Sequence, residues 1–249
     1  MTAAAPAAAK VVTPTAVAKP TTSPAPQDII LEAKGFPTSF DAAKRLLERD
    51  VYFDVRTDRY CGCSFDRSLT VDVKSCPMRT ALYQDLQDSI EWEHVVPASD
   101  FGRQRACWRN PPSGTSGRDH CGRVDKTFRM MEADPHNLIP VIGALNRIRS
   151  NHRFGMVASG TEDPVVLGCG FRVARADGGR FIEPPDLVKG KIARIYFYME
   201  DRYGHRIGRS QRRVFDAWNR QFPPDAFEIE RDQRLAKAIG VSNPFVALY

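Results

Sequence analysis

The chain has 249 residues, 42% of them apolar and 10% aromatic, which excludes a sequence too polar to bury a core and leaves room for one large domain or two small ones. Its formal charge of +6 favours an anionic partner, such as nucleic acid or an acidic membrane surface, although a mildly basic surface also serves solubility. No stretch approaches the apolar length of a transmembrane helix, so no membrane insertion is expected.

Residues 1–27 are rich in Ala, Pro and Thr and carry only Lys10 and Lys19 as charges. Lacking an export-type apolar run, they read as a disordered leader or linker, with any signal peptide removed upstream or surviving here as a remnant. Ordered sequence is expected from Asp28. Ser39 is a candidate N-cap for a helix through Phe40, Ala43, Leu46 and Leu47, which reads as core packing. The runs from Tyr60 to Phe65 and from Leu69 to Val73 read as two short strands with a turn near Asp66. Residues 110–122, rich in Pro, Gly, Ser and charge, read as a loop bracketed by Cys107 and Cys121.

Pro140 suits the first turn of a helix running on to Asn146, nearly two turns later, with Ile142 and Leu145 toward the core. Downstream, Val188, Ile192, Ile195, Tyr196, Met199 and Tyr203 recur at helical spacing behind Asp186 as a cap. A further helix should hold Val214, Phe215 and Trp218, and another should run from Asp225 to about Ile239 and stop at Gly240. With no repeat or linker inside residues 28–249, the expectation is a single α+β domain with a helical C-terminal half.

Six cysteines, Cys61, Cys63, Cys76, Cys107, Cys121 and Cys169, are spread through the chain. Three disulfides are the simplest account, because the Cys61-Gly62-Cys63 spacing does not suit a tetrahedral zinc knuckle. Disulfides imply a periplasmic or secreted protein, since cytosolic thiols are kept reduced.

The residues with chemistry begin at Glu91-Trp92-Glu93-His94-Val95-Val96-Pro97-Ala98. A carboxylate beside an imidazole on a strand points to the opposite face unless the chain turns, and Pro97 marks such a turn. An isolated Glu-His pair is more often a surface charge beside a satisfied histidine. The second informative run extends from Met131 to Asn151 and includes Asn146. An asparagine there is ordinarily a surface or capping residue, yet its neutral oxygen is also a ligand that hard divalent cations accept.

Together with Cys61-Gly62-Cys63, Phe101-Gly102, Cys107-Trp108, Gly117-Arg118, Phe128-Arg129, Met131-Glu132, His136-Asn137-Leu138, Ile142-Gly143, Arg149-Ser150-Asn151, Tyr196 to Met199 and Asn243-Pro244-Phe245, these runs resemble the bacterial endonuclease I family. That family comprises periplasmic and secreted nucleases of the ββα-metal, or His-Me finger, superfamily, and the resemblance covers roughly residues 28–246. It implies a fold built around a ββα-metal finger, with His94 as general base, Glu93 and Asn146 holding one divalent cation, and Arg118 contacting phosphate. Glu132 belongs to the same cleft, Asn137 is a framework residue orienting the helix start, and His136 is structural. The cation expected is Mg²⁺, with Mn²⁺ or Ca²⁺ as substitutes. The implied activity is hydrolysis of DNA, and of RNA as well, without sequence preference, leaving a 5′-phosphate and a 3′-hydroxyl, by a monomeric enzyme.

These residue types fit that chemistry independently. Phosphodiester hydrolysis needs an activated water, a Lewis acid and positive donors for the phosphate oxygens. Neutral imidazole accepts a proton near neutral pH, and arginine presents a planar donor set. Arg103, Arg105, Arg109, Arg123, Lys126, Arg147, Arg149 and Arg153 cluster around these runs and read as phosphate contacts that carry no base information, or as a solvated basic surface.

The sequence departs from the family at Pro135, where an apolar residue is usual, in a longer loop before Arg118, and in lacking a C-terminal cysteine pair. Six cysteines allow 15 pairings; short loops favour Cys107–Cys121 and Cys63–Cys76, leaving Cys61–Cys169. Rival readings are a site-specific nuclease of the same superfamily, for which no recognition module is visible, and a secreted nucleic-acid-binding protein without catalysis. A zinc protease lacks its helical H-E-x-x-H arrangement.

Overall fold

The computed structural model describes residues 35–176 and 179–248; the leader expected over residues 1–27 and the start of order near Asp28 lie outside them. Helix α1 (Phe40–Leu46) opens on the expected Ser39 cap, whose Oγ accepts from Ala42 N at 3.2 Å, and continues as a wider turn over Leu47–Val51. The following segment has the turn at Asp66, whose Oδ1 accepts from Ser68 N and Thr70 N, but not the two strands. Only isolated bridges form, between Thr57 and Ser64, Phe65 and Val71, and Thr70 and Ser89. The Asp58 carboxylate gathers the N–H groups of Tyr60 and Cys61 at 3.1 and 2.7 Å, which curls the start of the first expected strand into a turn.

Strand β1 (Ile90–His94) is followed by four short helices, α2 (Ala98–Gly102), α3 (Ala106–Arg109), α4 (Gly117–Val124) and α5 (Lys126–Glu132). The expected loop over residues 110–122 therefore ends inside a helix. Ser116 Oγ accepts from Asp119 N at 3.0 Å, an N-cap that organises a sequence with almost no apolar stripe.

A tight turn over Pro135–Asn137, capped by Asp134, leads into β2 (Leu138–Ile142) and directly into α6 (Gly143–Arg149). Strands β1 and β2 pair antiparallel, from Ile90 opposite Ile142 to His94 opposite Leu138. Pro140 thus sits in a strand, and the helix starts three residues later than expected. Its carbonyl accepts from Arg59 N at 2.9 Å, on the side away from β1. The proline's missing N–H faces that same side, so the ladder loses nothing. Asn146 consequently lies one turn into its helix.

A four-stranded sheet follows, β3 (Arg153–Phe154), β4 (Glu162–Asp163), β5 (Arg172–Ala176) and β6 (Gly179–Glu183), in the order β3-β6-β5-β4 with β3 parallel to β6. Helix α7 (Asp186–Tyr203) is the central element of the C-terminal half, buried from Val188 to Met199. Pro185, not Asp186, occupies its cap position, and the Asp186 carboxylate pairs with Lys189 at 2.7 Å. Helices α8 (Arg209–Gln221), α9 (Ala226–Ile239) and α10 (Pro244–Ala247) complete the fold. Helix α9 has the expected ends: Asp225 Oδ1 accepts from Glu228 N at 2.7 Å, and Gly240 closes it at φ +69°.

The larger core packs β1, β2 and α6 against α7 and α8, and a smaller one lies between α1, Trp92, Leu138 and α9. Disulfides join Cys63–Cys76 and Cys107–Cys121, the pairs favoured by loop length, and Cys61–Cys169, the pair left by elimination. Among the described residues no helix is long and apolar enough to cross a membrane.

Candidate functional site

Side chains alternate along β1, so Glu91 and Glu93 leave it on one face and Trp92 and His94 on the other. Helix α6 covers the first face, where Asn146 Nδ2 donates to Glu91 Oε2 at 2.6 Å and Arg149 Nη1 lies 3.0 Å from Glu93 Oε1. Helix α1 covers the second, where Phe40 tilts against the His94 ring at 4.6 Å between centroids and Trp92 Nε1 donates to Glu48 at 3.1 Å. Between them opens a cleft of about 870 Å3 lined by residues from both faces, including Glu93, His94, Arg118 and Asn146.

His94 stands at the end of β1, where Val95 turns back to donate to Asn137 O. Its Nε2 lies 2.8 Å from the carbonyl of Glu132. That carbonyl can only accept, so Nε2 carries the proton and Nδ1 is left with its lone pair. Burial, then the charge of Arg118, pushes His94 down to about 3, against the upward pull of the Glu132 carbonyl. The imidazole is therefore neutral and acceptor-competent throughout the physiological range.

Glu93 is 3% exposed. Tyr60 donates its hydroxyl to Oε1 at 3.3 Å, the atom that also faces Arg149. Burial raises Glu93 to about 7, with Arg149 and Tyr60 opposing. Among the described residues nothing donates to its Oε2. Asn146 spends its amide N–H on Glu91, which leaves Oδ1 as an open acceptor. One carboxylate oxygen and one amide oxygen suit a hard divalent cation that keeps most of its water shell. No group of three or more His, Cys, Asp or Glu among the described residues forms a closed cage of the kind zinc takes.

Arg118 arrives from α4. Its Nε donates to Glu132 Oε1 at 2.6 Å and its guanidinium lies 5.8 Å from the Phe40 ring centre. The helix is fixed by the Cys107–Cys121 bridge and by close packing on Trp108. A Cβ on Gly117 would come within 2.4 Å of the Trp108 carbonyl, and one on Gly102 within 2.2 Å of the indole. Glu132 thus acts twice, holding His94 with its backbone and Arg118 with its side chain.

Asn137 does not line the cleft. Fully buried, it clamps Val96 by accepting from its N–H at 2.8 Å and donating to its carbonyl at 3.0 Å, so it orients the turn after β1 and not the helix start. His136 is buried behind it, its Nε2 against Val241 O at 3.0 Å.

The basic cluster is only partly a surface. Arg149 is 1% exposed; being the last residue of α6, it reaches the carbonyls of His94 and Val95 that the strand end leaves unpaired. Arg105 is bound through one guanidinium nitrogen to both oxygens of Asp125 at 3.0 and 2.9 Å. The cations that line the cleft are Lys44, Arg45, Arg118, Arg147 and the buried Arg149. Sequence reasoning missed Glu91, whose place two residues before Glu93 was the available signal, and the role of α1 as a wall, for which no local signal exists.

The endonuclease I family model matches residues 44–248. The chain is similar to an extracellular deoxyribonuclease of Aeromonas hydrophila, 40% identical over 84% of this chain and 88% of the relative. It is also similar to a periplasmic deoxyribonuclease of the same organism, 38% identical over 75% of this chain and 76% of the relative. An endonuclease-1 of Buchnera aphidicola is 32% identical over 84% of this chain and 82% of its own length.

Proposed function

Because the chain belongs to the endonuclease I family, we propose that its cleft hydrolyses DNA phosphodiester bonds with His94 as general base and one divalent cation held by Glu93 and Asn146. The protein is an exported nuclease, periplasmic or secreted, and three disulfides suit that location. The reading rests on one observation above the others. His94 has its Nε2 committed to the Glu132 carbonyl, and its remaining nitrogen shares a cleft with two uncommitted oxygens and an arginine.

His94 Nδ1 takes a proton from a water as the water oxygen bonds to phosphorus and the P–O3′ bond breaks; the departing O3′ takes a proton from a second, solvent water, giving a 5′-phosphate and a 3′-hydroxyl. Arg118 exchanges part of its contact with Glu132 for the phosphate oxygens, to which its fork of donors is suited. When bound, the cation supplies Lewis-acid stabilisation of charge on the phosphate and on the departing oxygen. Mg²⁺ is the ion that best matches two protein oxygens and several waters. Arg149 and Tyr60 keep Glu93 oriented, and Glu91 keeps the amide of Asn146 turned so that its oxygen is free. Cations along the cleft address phosphates rather than base edges, so RNA is accepted too and sequence matters little.

Oxidised protein incubated with unrelated plasmids and an RNA, with Mg²⁺ or with chelator, tests the activity. A metal-dependent smear is expected; discrete common fragments indicate a site-specific nuclease, and intact retarded substrate a binding protein. A structure with the cation bound tests the site, since an ion seated on residues other than Glu93 and Asn146 overturns the ligand assignment.

A further inference from the structure

Beside the cleft lies a second trough, of about 560 Å3, whose lining includes Arg45, Arg49, Arg56, Arg67, Glu48 and the ring of Phe53. Arg45, Glu48 and Leu69 line both spaces, so trough and cleft adjoin. Its charge is lopsided. Arg49 is tied to Asp50, but among the described residues Arg45, Arg56 and Arg67 form no salt bridge. The single lining acid, Glu48, accepts the Trp92 indole N–H at 3.1 Å. None of these arginines belongs to the basic cluster around residues 103–153; they come from α1, from the segment after it and from the Asp66 turn.

Phe53 adds a second feature. Its ring is 49% exposed, with the Arg234 guanidinium 4.5 Å from its centre. An exposed aromatic ring among arginines suits a base stacked beside a phosphate, a pairing that inorganic phosphate or a sulfated sugar lacks. We propose that this trough is the track by which a single-stranded flank of the nucleic-acid substrate leaves the cleft, with Arg45, Arg56 and Arg67 on its phosphates and Phe53 under an unpaired base. The proposal rests on the nuclease reading, which makes the cleft the place where the scissile phosphate sits.

Binding is measured by fluorescence anisotropy, in chelator, to two single-stranded DNA oligonucleotides: a short one that ends within the cleft and a longer one that extends past it. For the long strand, Arg56→Ala with Arg67→Ala should lower the slope of log affinity against log salt by about 1.4, at about 0.7 for each single-strand phosphate that is no longer neutralised. Phe53→Ala should weaken binding of the same strand about tenfold, within the range of one base stack. The short strand should be bound alike by all three proteins. The charge-retaining pair Arg56→Lys with Arg67→Lys should keep the wild-type slope, which separates removal of charge from disturbance of the fold. Cleavage by the wild-type enzyme with Mg²⁺ is scored separately. Wild-type protein that cuts DNA, while the alanine variants bind the long strand with unchanged affinity and salt slope, overturns the track and leaves the nuclease reading standing.

Discussion

Arg194 on α7 and Arg149 on α6 are each 1% exposed, yet what surrounds them differs. Arg194 meets both oxygens of Glu228 at 2.7 and 2.6 Å and gives its remaining nitrogen to Asn219 Oδ1 and Phe222 O. That pair is closed, every polar atom of both side chains being engaged. Arg149 meets Glu93 on one oxygen only, spends its other donors on the carbonyls of His94 and Val95, and leaves Nε without a partner. The unrelieved burial is what pushes Glu93 up to about 7. Buried charge by itself therefore does not mark the site in this molecule. The mark is a buried pair left open toward a cleft, where a cation can complete it.

Four measurements press on that contrast. The largest effect is expected for His94→Ala, which should lower kcat by about 10² to 10⁴ while DNA affinity in chelator changes little, since proton transfer and phosphate contact reside on different groups. Initial rates and anisotropy read the two separately, and near-normal turnover removes His94 from the mechanism.

Next, Arg149→Ala and Arg194→Ala should each destabilise the fold by about 3–5 kcal/mol in denaturant titrations, because each strands a buried carboxylate. Assayed where both remain folded, the Arg194 variant should keep its kcat and the Arg149 variant should lose it. Equal losses would erase the distinction between closed and open pairs.

A smaller change is expected for Glu91→Ala. Without an acceptor to hold its N–H, the Asn146 amide is free to turn, and calorimetric Mg²⁺ affinity should fall about 10-fold, at the low end of what supporting groups around metal ligands contribute.

The smallest effect tests an exception in the helical half. Lys191 is buried, its Nζ lacks a hydrogen bond, and Asp225 stands 3.6 Å away. Burial, followed by the charge of Arg59, pushes it down to about 8 from an ordinary 10.5. Between those values the unfolded chain binds more protons than the native one, so stability should rise with pH across that window. Lys191→Met should abolish the rise and stabilise the protein at neutral pH by about 1 kcal/mol, the low end for removing an unsatisfied buried group. Melting temperatures from pH 7 to 10.5 decide it, a lysine variant and wild type with parallel profiles counting against the argument.

Much of the helical half was legible because its signals are local. Asp225, the apolar period and Gly240 all lie within α9 or at its ends, and no distant residue is needed to read them. Pro140 misled because its missing N–H is equally at home in a helix's first turn and on the outward side of an edge strand, and only the partner strand decides between them. Helix α4 was hidden by composition: with Cys121 its only buried residue, it has no stripe to detect. Within the site, adjacent Glu93 and His94 were readable as a pair. Arg149 looked like one more basic surface residue, since its burial depends on carbonyls 55 and 54 residues away in sequence. The wall formed by Phe40 and Lys44 depends wholly on tertiary approach.

The bridge between Cys61 and Cys169 spans 108 residues, against 13 and 14 for the other two. The two proposed cation ligands, Glu93 and Asn146, lie inside that span, and so do both short bridges. A chain emerging N-terminus first presents Cys76 soon after Cys63, and Cys121 soon after Cys107, but offers Cys61 its partner only when the residues through Cys169 are out. During that wait Cys61 has only thiols that belong to other pairs. Early oxidation of Cys61 is consequently an error that only exchange can repair, through attack of a thiolate on the wrong bridge. Such reshuffling takes seconds to hours, so the order in which the cysteines emerge favours closing the two short bridges first and the long one last.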